Sequence, residues 1–311
     1  MKAIEIDSYG GTDSITMNAH KSIPNVSKGQ VLIKMRAAGV NPVDWKIGEG
    51  YLQHMRPLNF PVTLGMDFSG TVEDIGADIS HFKKGDEVYG MTNFFSGGTG
   101  TFAEYFLADA TVTAHKPKNI SFTEAAALPM VGISALQVLI DTMHISKHQK
   151  ILIHGGSGGI GIVAIQLANY LGAYVATTVS KENILFAKKL GADEVIDYKT
   201  QKFETLLKNY DTVFDTIGGE VYRNSFKVIK NNGMLVSMLE SPDQDLIKKY
   251  GVKAIIEFTD VTSHRLSQLT DLVERNIIKI YIAKTFPLSQ TRDALVYLQH
   301  KHPPGKIVVT I

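Results

Sequence analysis

Glycines at a particular spacing are the first residues in this chain that point to chemistry. Residues 154–161 read His-Gly-Gly-Ser-Gly-Gly-Ile-Gly, and they contain the spacing G-x-G-x-x-G. An apolar run over residues 151–154 precedes this glycine loop, and apolar residues at helical spacing follow it. In that context the loop is typical of dinucleotide binding, in which N–H groups at a helix N-terminus hold a pyrophosphate. We expect contacts from Gly156, Ser157, Gly158, Gly159, Ile160 and Gly161.

The residues that follow the next predicted strand indicate which dinucleotide binds. NADH sites carry an Asp or Glu about 20 residues past the glycine loop, where it binds the ribose 2′-hydroxyl. This chain has Ser180 and Lys181 there, and the first acid is Glu182. Because a hydroxyl and an ammonium favour a 2′-phosphate, the predicted cofactor is NADPH. The alternative is that Lys181 is only a solvated residue at the start of the next helix.

Two kinds of element pattern surround these residues. Short β-runs separated by Gly, Pro and Asp fill the first 120 residues, which predicts an antiparallel β-rich domain. Ser121 and Glu124 then form a capping box that opens an apolar helix. From residue 150 onward strands and helices alternate, which predicts a parallel sheet covered on both faces. The fold class is therefore α/β, a doubly wound Rossmann sheet plus a β-rich domain.

Composition excludes several function classes. The 311 residues are 44% hydrophobic and 20% charged, with a net charge of +1 and no cysteine. A disulfide framework, a thiolate nucleophile and a cysteine-ligated zinc are therefore excluded. The near-neutral charge lacks the basic stripe of a nucleic-acid-binding protein. The richest apolar stretch, residues 125–140, is too short and interrupted to span a bilayer, and no signal region is visible. We expect a cytoplasmic protein with neither a membrane nor a nucleic acid as partner.

Two histidine pairs could suggest a metal. His144 and His148 are four residues apart, and His300 and His302 flank Lys301. Neither pair has a third ligand nearby, whereas a protein zinc site needs at least three. We interpret both pairs as surface residues and predict no metal.

Seven ordered segments of the chain resemble a known family. They are residues 37–46, 61–70, 84–90, 100–105, 125–129, the glycine loop and 305–308. The resemblance is to the medium-chain dehydrogenase/reductase superfamily, in its zinc-free quinone oxidoreductase (zeta-crystallin-like) branch, and it covers essentially the whole chain. It implies a GroES-like domain of residues 1–123, completed by the tail 284–311, and a Rossmann NADPH-binding domain of residues 124–283. The active site would lie in the cleft, and the last strand, residues 306–311, would join the first domain.

The chain departs from the zinc-dependent members of this superfamily. They carry Cys where this chain has Asn41, and Gly-His-Glu where it has Gly65, Met66 and Asp67. The four-cysteine structural zinc lobe is missing as well. Asp67 alone cannot form a protein-made zinc site. We therefore expect reduction of an already activated acceptor rather than oxidation of an alcohol.

The same resemblance implies roles for further residues. Asn41 would position the nicotinamide ribose, and Tyr51 would lie near the nicotinamide. Hydride delivery to an enone leaves negative charge on the carbonyl oxygen, which a phenol can stabilise and protonate. The alternative for Tyr51 is an aromatic wall, with water as the proton source. Further cofactor contacts are expected from Ser134, Tyr198, Thr216 and Lys306.

These expectations combine into one predicted function. The chain would be an NADPH-dependent, zinc-independent oxidoreductase that transfers hydride to a small-molecule quinone or α,β-unsaturated carbonyl. Two alternatives stay open, an enoyl-thioester reductase and a non-catalytic NADPH-binding sensor or accessory protein. The family also implies a homodimer, formed through an edge strand that would lie near residues 277–282.

Overall fold

The computed structural model describes residues 1–92, 99–301 and 303–311, which form two compact units. The first unit comprises Met1–Met130, Val261–Arg275 and Ile280–Ile311, and the second comprises Val131–Asp260 and Asn276–Lys279. The segment Val261–Arg275, placed by the sequence prediction in the Rossmann domain, thus belongs to the first unit. Within the described residues, no helix has both the length and the hydropathy needed to cross a membrane.

The elements before residue 129 are mostly strands. They are β1 (Ala3–Ile6), β2 (Ile15–Asn18), β3 (Gln30–Val40), α1 (Pro42–Gly48), β4 (Val62–Thr63), β5 (Asp67–Ile75), β6 (Glu87–Met91), β7 (Tyr105–Asp109), β8 (Thr113–His115) and α2 (Phe122–Ala126). The predicted capping box at α2 is confirmed. The Ser121 hydroxyl accepts from the Glu124 N–H at 3.2 Å, and the Glu124 carboxylate accepts from the Ser121 N–H at 2.8 Å.

Strands and helices then alternate, as the sequence predicts. The elements are α3 (Pro129–Leu136), β9 (Lys150–His154), α4 (Gly159–Tyr170), β10 (Tyr174–Val179), α5 (Ile184–Lys189), β11 (Glu194–Asp197), α6 (Phe203–Leu206), β12 (Tyr210–Asp215), α7 (Gly219–Ser225), β13 (Ile229–Ser237), α8 (Gln244–Tyr250) and β14 (Lys253–Ile256). A π-helical turn, Gln137–Thr142, extends α3. The chain ends with α9 (Ser263–Glu274), β15 (Ile282–Pro287), α10 (Thr291–Lys301) and β16 (Lys306–Thr310).

A parallel sheet forms the centre of the second unit. Its strand order is β11-β10-β9-β12-β13-β14, which is the doubly wound arrangement of a Rossmann fold. Helix α4 buries Val163, Ala164, Leu167 and Ala168, the apolar face that its sequence spacing predicts. The strand order reverses between β9 and β12, and the glycine loop follows β9. Ligands of such sheets bind at this switch point.

The last strand completes the main sheet of the first unit. That sheet runs β15-β16-β3-β5-β6-β8, with β7 also paired to β3. Strand β16 is antiparallel to β3, with Ile307 opposite Val40 and Thr310 opposite Ala37. The tail strand therefore joins the main sheet of the first unit. This register brings Lys306 to the end of β3, beside Asn41.

The predicted edge strand near residues 277–282 is wrong. Residues 277–281 have no strand conformation, and Ile282 begins β15, which pairs with β16 in the first unit. The apolar residues of this segment pack against other side chains and do not form the edge of a sheet. Ile278 is buried, and Ile280 and Ile282 pack against a cluster of Ala37, Ala126, Ala127 and Val308.

Candidate active site

The glycine loop is too tightly packed for side chains at two of its glycines. A Cβ on Gly156 would lie 2.2 Å from the Thr177 Oγ1, and a Cβ on Gly161 would lie 2.2 Å from the Gly155 carbonyl oxygen. The Gly156 N–H donates to the Thr178 carbonyl at 3.1 Å, which fixes the start of the loop on β10. Glycine therefore lets the strand, the loop and the helix approach each other, as a dinucleotide-binding loop requires.

Helix α4 begins directly after this loop. Its N-cap is Gly158, which has no side chain to cap the helix. The N–H of Ile162 donates to the Gly158 carbonyl at 2.9 Å, and the N–H groups before it lie in the first turn, where a helix supplies no partner. Ser157, Gly158 and Ile160 are partly or fully exposed. The loop and the helix end thus present donors that fit a pyrophosphate.

The end of β10 carries the residues predicted to select NADPH. Ser180 is buried, and Lys181 is exposed. The Asn183 amide donates to the Ser180 hydroxyl oxygen at 3.1 Å and to the Ser157 hydroxyl oxygen at 3.3 Å. Asn183 thus links the glycine loop to the strand that follows α4. The sequence pattern does not single out this residue, because its contact with Ser157 spans 26 positions.

The residues after β11 lie beside this strand end. Tyr198 N–H donates to the Val179 carbonyl at 3.2 Å, and the Tyr198 side chain is exposed. The Lys199 ammonium pairs with the Glu182 carboxylate at 3.5 Å. The structure therefore brings Tyr198 and a second ammonium to the region of Ser180 and Lys181, and the nearby acid already has a cationic partner.

Two other predicted cofactor contacts are hydrogen-bonded within the second unit. The Ser134 hydroxyl lies 2.6 Å from the Thr259 hydroxyl, and the Thr216 hydroxyl donates to the His154 carbonyl at 2.9 Å. The ring of His154 is fully buried, and burial lowers its pKa to about 3. His154 is therefore a neutral structural residue near physiological pH.

Asn41, at the N-cap of α1, is held by a buried polar network in the first unit. Its Oδ1 accepts from the Lys306 ammonium, and its Nδ2 donates to Asp67 Oδ2 at 2.9 Å. Asp67 Oδ1 accepts from the Met130 N–H at 3.0 Å, and the Lys306 ammonium also donates to the Val40 carbonyl at 3.0 Å. Sequence spacing cannot reveal this network, because Asn41 and Lys306 are 265 positions apart.

Asp44 adds a second carboxyl to the network. Its Oδ2 accepts from the Asn41 N–H at 2.7 Å, whereas its buried Oδ1 has no hydrogen-bond partner among the described residues. Burial, aided by repulsion from Asp67, raises the pKa of Asp44 to about 7. Burial also raises the pKa of Asp67 to about 6 and lowers the pKa of Lys306. Asp67 has three polar partners and ionises first, so between pH about 6 and about 7 Asp67 is ionised and Asp44 is neutral.

Tyr51 lies shortly after α1 and is 66% exposed. Its ring packs edge-to-face against Trp45, with the ring centroids 6.0 Å apart. Its backbone N–H donates to the Lys46 carbonyl at 3.0 Å, which fixes the turn that carries it. The phenol is therefore accessible to a small molecule.

The histidines considered as metal ligands lie at the surface or outside the described residues. His144 is exposed, with its Nδ1 2.9 Å from the Ile140 carbonyl oxygen, and His148 and His300 are exposed as well. His302 is not among the described residues. In the part of the chain that the structure describes, no three His, Asp or Glu side chains are grouped to hold a metal ion.

Comparison with known proteins identifies the family. The model of the alcohol dehydrogenase GroES-like domain matches residues 27–118, and a zinc-binding dehydrogenase model matches residues 190–309. A chloroplast envelope quinone oxidoreductase homolog of Arabidopsis thaliana is 32% identical over 99% of this chain and 98% of its own length. The chain belongs to the medium-chain dehydrogenase/reductase superfamily, in its quinone oxidoreductase branch.

Other members of the superfamily agree with this assignment. An NADPH-dependent alkenal/one oxidoreductase, chloroplastic, from Arabidopsis thaliana is 35% identical over 99% of this chain and 79% of its own length. The structure of the quinone oxidoreductase from Coxiella burnetii is 33% identical, with a TM-score of 0.93 over 100% of this chain and 99% of that chain. The predicted superfamily, branch and fold class are confirmed.

Proposed function

We propose that this quinone oxidoreductase family member is an NADPH-dependent enzyme that transfers hydride to a quinone or an α,β-unsaturated carbonyl without zinc. The observation that carries the proposal is the glycine loop, in which Gly156 and Gly161 have no room for a Cβ and the following helix has no side-chain cap. This cradle fits a dinucleotide pyrophosphate, and the relatives named above include an NADPH-dependent alkenal/one oxidoreductase.

The cofactor's 2′-phosphate would be bound at the end of β10. Lys181 supplies an exposed ammonium, Ser180 a hydroxyl donor and Tyr198 an exposed phenol. A carboxylate at this place would repel a phosphate, but Glu182 is paired with Lys199. When bound, NADPH supplies the hydride, and Asn41 would hydrogen-bond the ribose of its nicotinamide half.

The residues at the positions of the zinc ligands favour an acceptor that needs no Lewis acid. A carboxamide and a thioether, Asn41 and Met66, replace the thiolate and imidazole that zinc prefers. Asp67 is fully buried and bound to Asn41 and Lys306, so it is not free to coordinate a metal. Quinones and enones are electron-poor and accept hydride without such activation. The exposed phenol of Tyr51 would stabilise and protonate the enolate that an enone forms.

An acceptor screen tests this function. Purified protein is mixed with NADPH and, separately, with a quinone, a 2-enal and an enoyl thioester, and the loss of NADPH absorbance is followed. We expect turnover with the quinone or the enal, and none with a Gly161→Val variant, whose side chain would collide with the Gly155 carbonyl. A marked preference for the thioester would support an enoyl-thioester reductase. Tight NADPH binding without turnover of any acceptor would indicate a sensor or accessory protein.

A further inference from the structure

The orientation of the Asn41 carboxamide is determined by charges on both sides. Its oxygen faces the Lys306 ammonium, and its NH₂ group faces a carboxylate oxygen of Asp67 at 2.9 Å. A flipped amide would place NH₂ against the ammonium and oxygen against the carboxylate, so both contacts would become repulsive. Asn41 and Asp67 are 1% and 0% exposed, so water cannot weaken this preference much.

The ammonium of Lys306 makes its recorded hydrogen bonds inside the first unit. It donates to the Val40 carbonyl at 3.0 Å and to Asn41 Oδ1, and it lies 3.8 Å from Asp67 Oδ2. Two of the three N–H donors of the ammonium are thus bonded to buried oxygens, and the Asp67 carboxylate attracts its charge without a hydrogen bond. Lys306 itself is 7% exposed. Its charge therefore acts on Asn41 and Asp67 directly.

We propose that Lys306 and Asp67 are positioning residues, which hold the Asn41 carboxamide in one orientation, and that Lys306 acts on the cofactor through Asn41 without touching it. The inference rests on the proposed function, because it concerns the NADPH that the enzyme would bind. It changes the role of Lys306 from the direct contact that the family resemblance implies to an indirect one.

The fixed orientation of the Asn41 carboxamide determines which hydrogen-bonding groups can meet the ligand. After the contacts with Asp67 and Lys306, Asn41 has one N–H donor and one lone pair of its oxygen left, and ribose binding must uncover them because Asn41 is 1% exposed. A donor and an acceptor at fixed positions match a sugar hydroxyl, which can accept from one and donate to the other. If the amide flipped freely, half of its orientations would present the wrong atom to each hydroxyl.

A double-mutant cycle on NADPH affinity separates the two roles of Lys306. We expect Lys306→Met to weaken NADPH binding about 10-fold in the wild-type background. In an Asn41→Ala background the same substitution should change the affinity less than about twofold, because nothing remains to be positioned. Equal losses in the two backgrounds would show direct contact and overturn the proposal.

Lys116 provides a matched control for this cycle. It is another buried lysine of the first unit, 8% exposed, and its ammonium donates to the Pro117 and Ile120 carbonyls. Lys116→Met should leave NADPH affinity unchanged. If it weakens binding as much as Lys306→Met, the loss reflects the removal of any buried lysine, and the proposal fails.

A measurement on the unliganded protein keeps the two proposals distinguishable. The side-chain NH₂ signal of Asn41, assigned by its loss in Asn41→Ala, should exchange slowly with solvent in the ¹⁵N-labelled wild type. It should exchange at least about tenfold faster in Lys306→Met or, if that variant does not fold, in the isosteric Asp67→Asn. Unchanged exchange in a folded variant would overturn the positioning role. A wild type that shows slow exchange but binds no NADPH would instead overturn the proposed function.

Discussion

Lys181 is the side chain whose charge separates the two nicotinamide dinucleotides. It is exposed at the end of β10, where NADH enzymes carry an acid. We predict that Lys181→Ala weakens NADPH binding by about 1–3 kcal/mol, the value of a charge-assisted hydrogen bond, and leaves NADH binding unchanged. Calorimetric titration with both cofactors measures the difference. Lys188→Ala, an exposed lysine of α5, is the control, and an equal loss for both cofactors would contradict the phosphate contact.

The phenol of Tyr51 is the candidate source of the proton that the enolate takes up after hydride transfer. If its phenol protonates the enolate, Tyr51→Phe should lower kcat for an enone about 10²–10⁴-fold with NADPH affinity nearly unchanged. The loss should be smaller for a quinone, because the hydroquinone anion is stabilised by its own ring and can take a proton from water. Steady-state rates with both acceptors test this. Tyr174→Phe, a partly exposed tyrosine of the second unit, is the control, and wild-type enone reduction by Tyr51→Phe would make water the donor.

The ionisation of Asp44 makes the free energy of unfolding depend on pH. Its pKa is about 7 in the folded chain, whereas an unfolded Asp titrates near ~3.9. The folded state therefore binds the proton more tightly than the unfolded state does. The resulting contribution to the free energy of unfolding is fully present below the pKa of the unfolded Asp, and it is lost as pH rises through about 7. Asp44→Asn, which resembles the neutral acid, should match the wild type at pH ~4 and exceed it by about 1–4 kcal/mol at pH ~8.

Urea unfolding at the two pH values measures this effect. Asp271→Asn is the control, because Asp271 is exposed on α9 and pairs with Arg275, the residue that follows this helix. The difference in free energy of unfolding between Asp271→Asn and the wild type should not grow with pH in this range. A difference between Asp44→Asn and the wild type that stays constant with pH would show that Asp44 is ionised throughout.

At the level of elements, the glycine loop depends on the close approach of β9, β10 and α4. A Cβ on Gly156 would meet the Thr177 Oγ1 at 2.2 Å and the Ile165 Cδ1 at 2.9 Å. Gly156→Ala should therefore cost about 1–3 kcal/mol of folding stability, the usual range for overpacking, and weaken NADPH binding strongly. Thermal unfolding and NADPH titration measure the two effects.

A second-site change tests the cause of that loss. Thr177→Ala removes the hydroxyl and methyl groups that crowd the new Cβ, so the double variant should recover part of the stability. Gly158→Ala is the control within the same loop, because its Cβ would meet only the Gly155 carbonyl oxygen, at 3.3 Å. If Gly158→Ala is as unstable as Gly156→Ala, the close approach to β10 is not the reason.

At the scale of the whole molecule, we propose that the chain forms a homodimer. Within the described residues, the edge strands of the parallel sheet are β11 and β14, and β14 pairs only with β13. Its residues are half-buried except Lys253, and a bare apolar edge promotes association. Pairing of two β14 strands across a two-fold axis would continue the sheet.

Sedimentation at micromolar concentration tests this assembly. The wild type should be a dimer, and Ile255→Lys, which places a charge on the edge strand, should be monomeric. Leu185→Lys is the control, because Leu185 is an 81% exposed leucine of α5. A wild type that sediments as a monomer would contradict the assembly. The cytoplasmic location stays a prediction from the sequence, since the two Arabidopsis relatives carry chloroplast names.

Local patterns in the sequence were enough to predict the fold class and the glycine loop of the candidate site. The Gly156–Gly161 spacing, the apolar face of α4 and the Ser121–Glu124 box each depend on neighbours within a few residues. Backbone geometry and helical periodicity determine such features, so they can be read from a single segment. The absence of cysteine and the replacement of zinc ligands by Asn41 and Met66 are likewise properties of the sequence alone.

Tertiary structure alone decided which distant residues meet. The register of β16 on β3 places Lys306 beside Asn41, and Asp67 approaches the same amide from β5. Strand register depends on which faces are buried by the rest of the fold, so no local pattern contains it. For the same reason residues 277–281, which alternate weakly, form no strand, and Ile280 and Ile282 pack against the apolar cluster of the first unit. Asp44 has its raised pKa only because folding buries it beside Asp67.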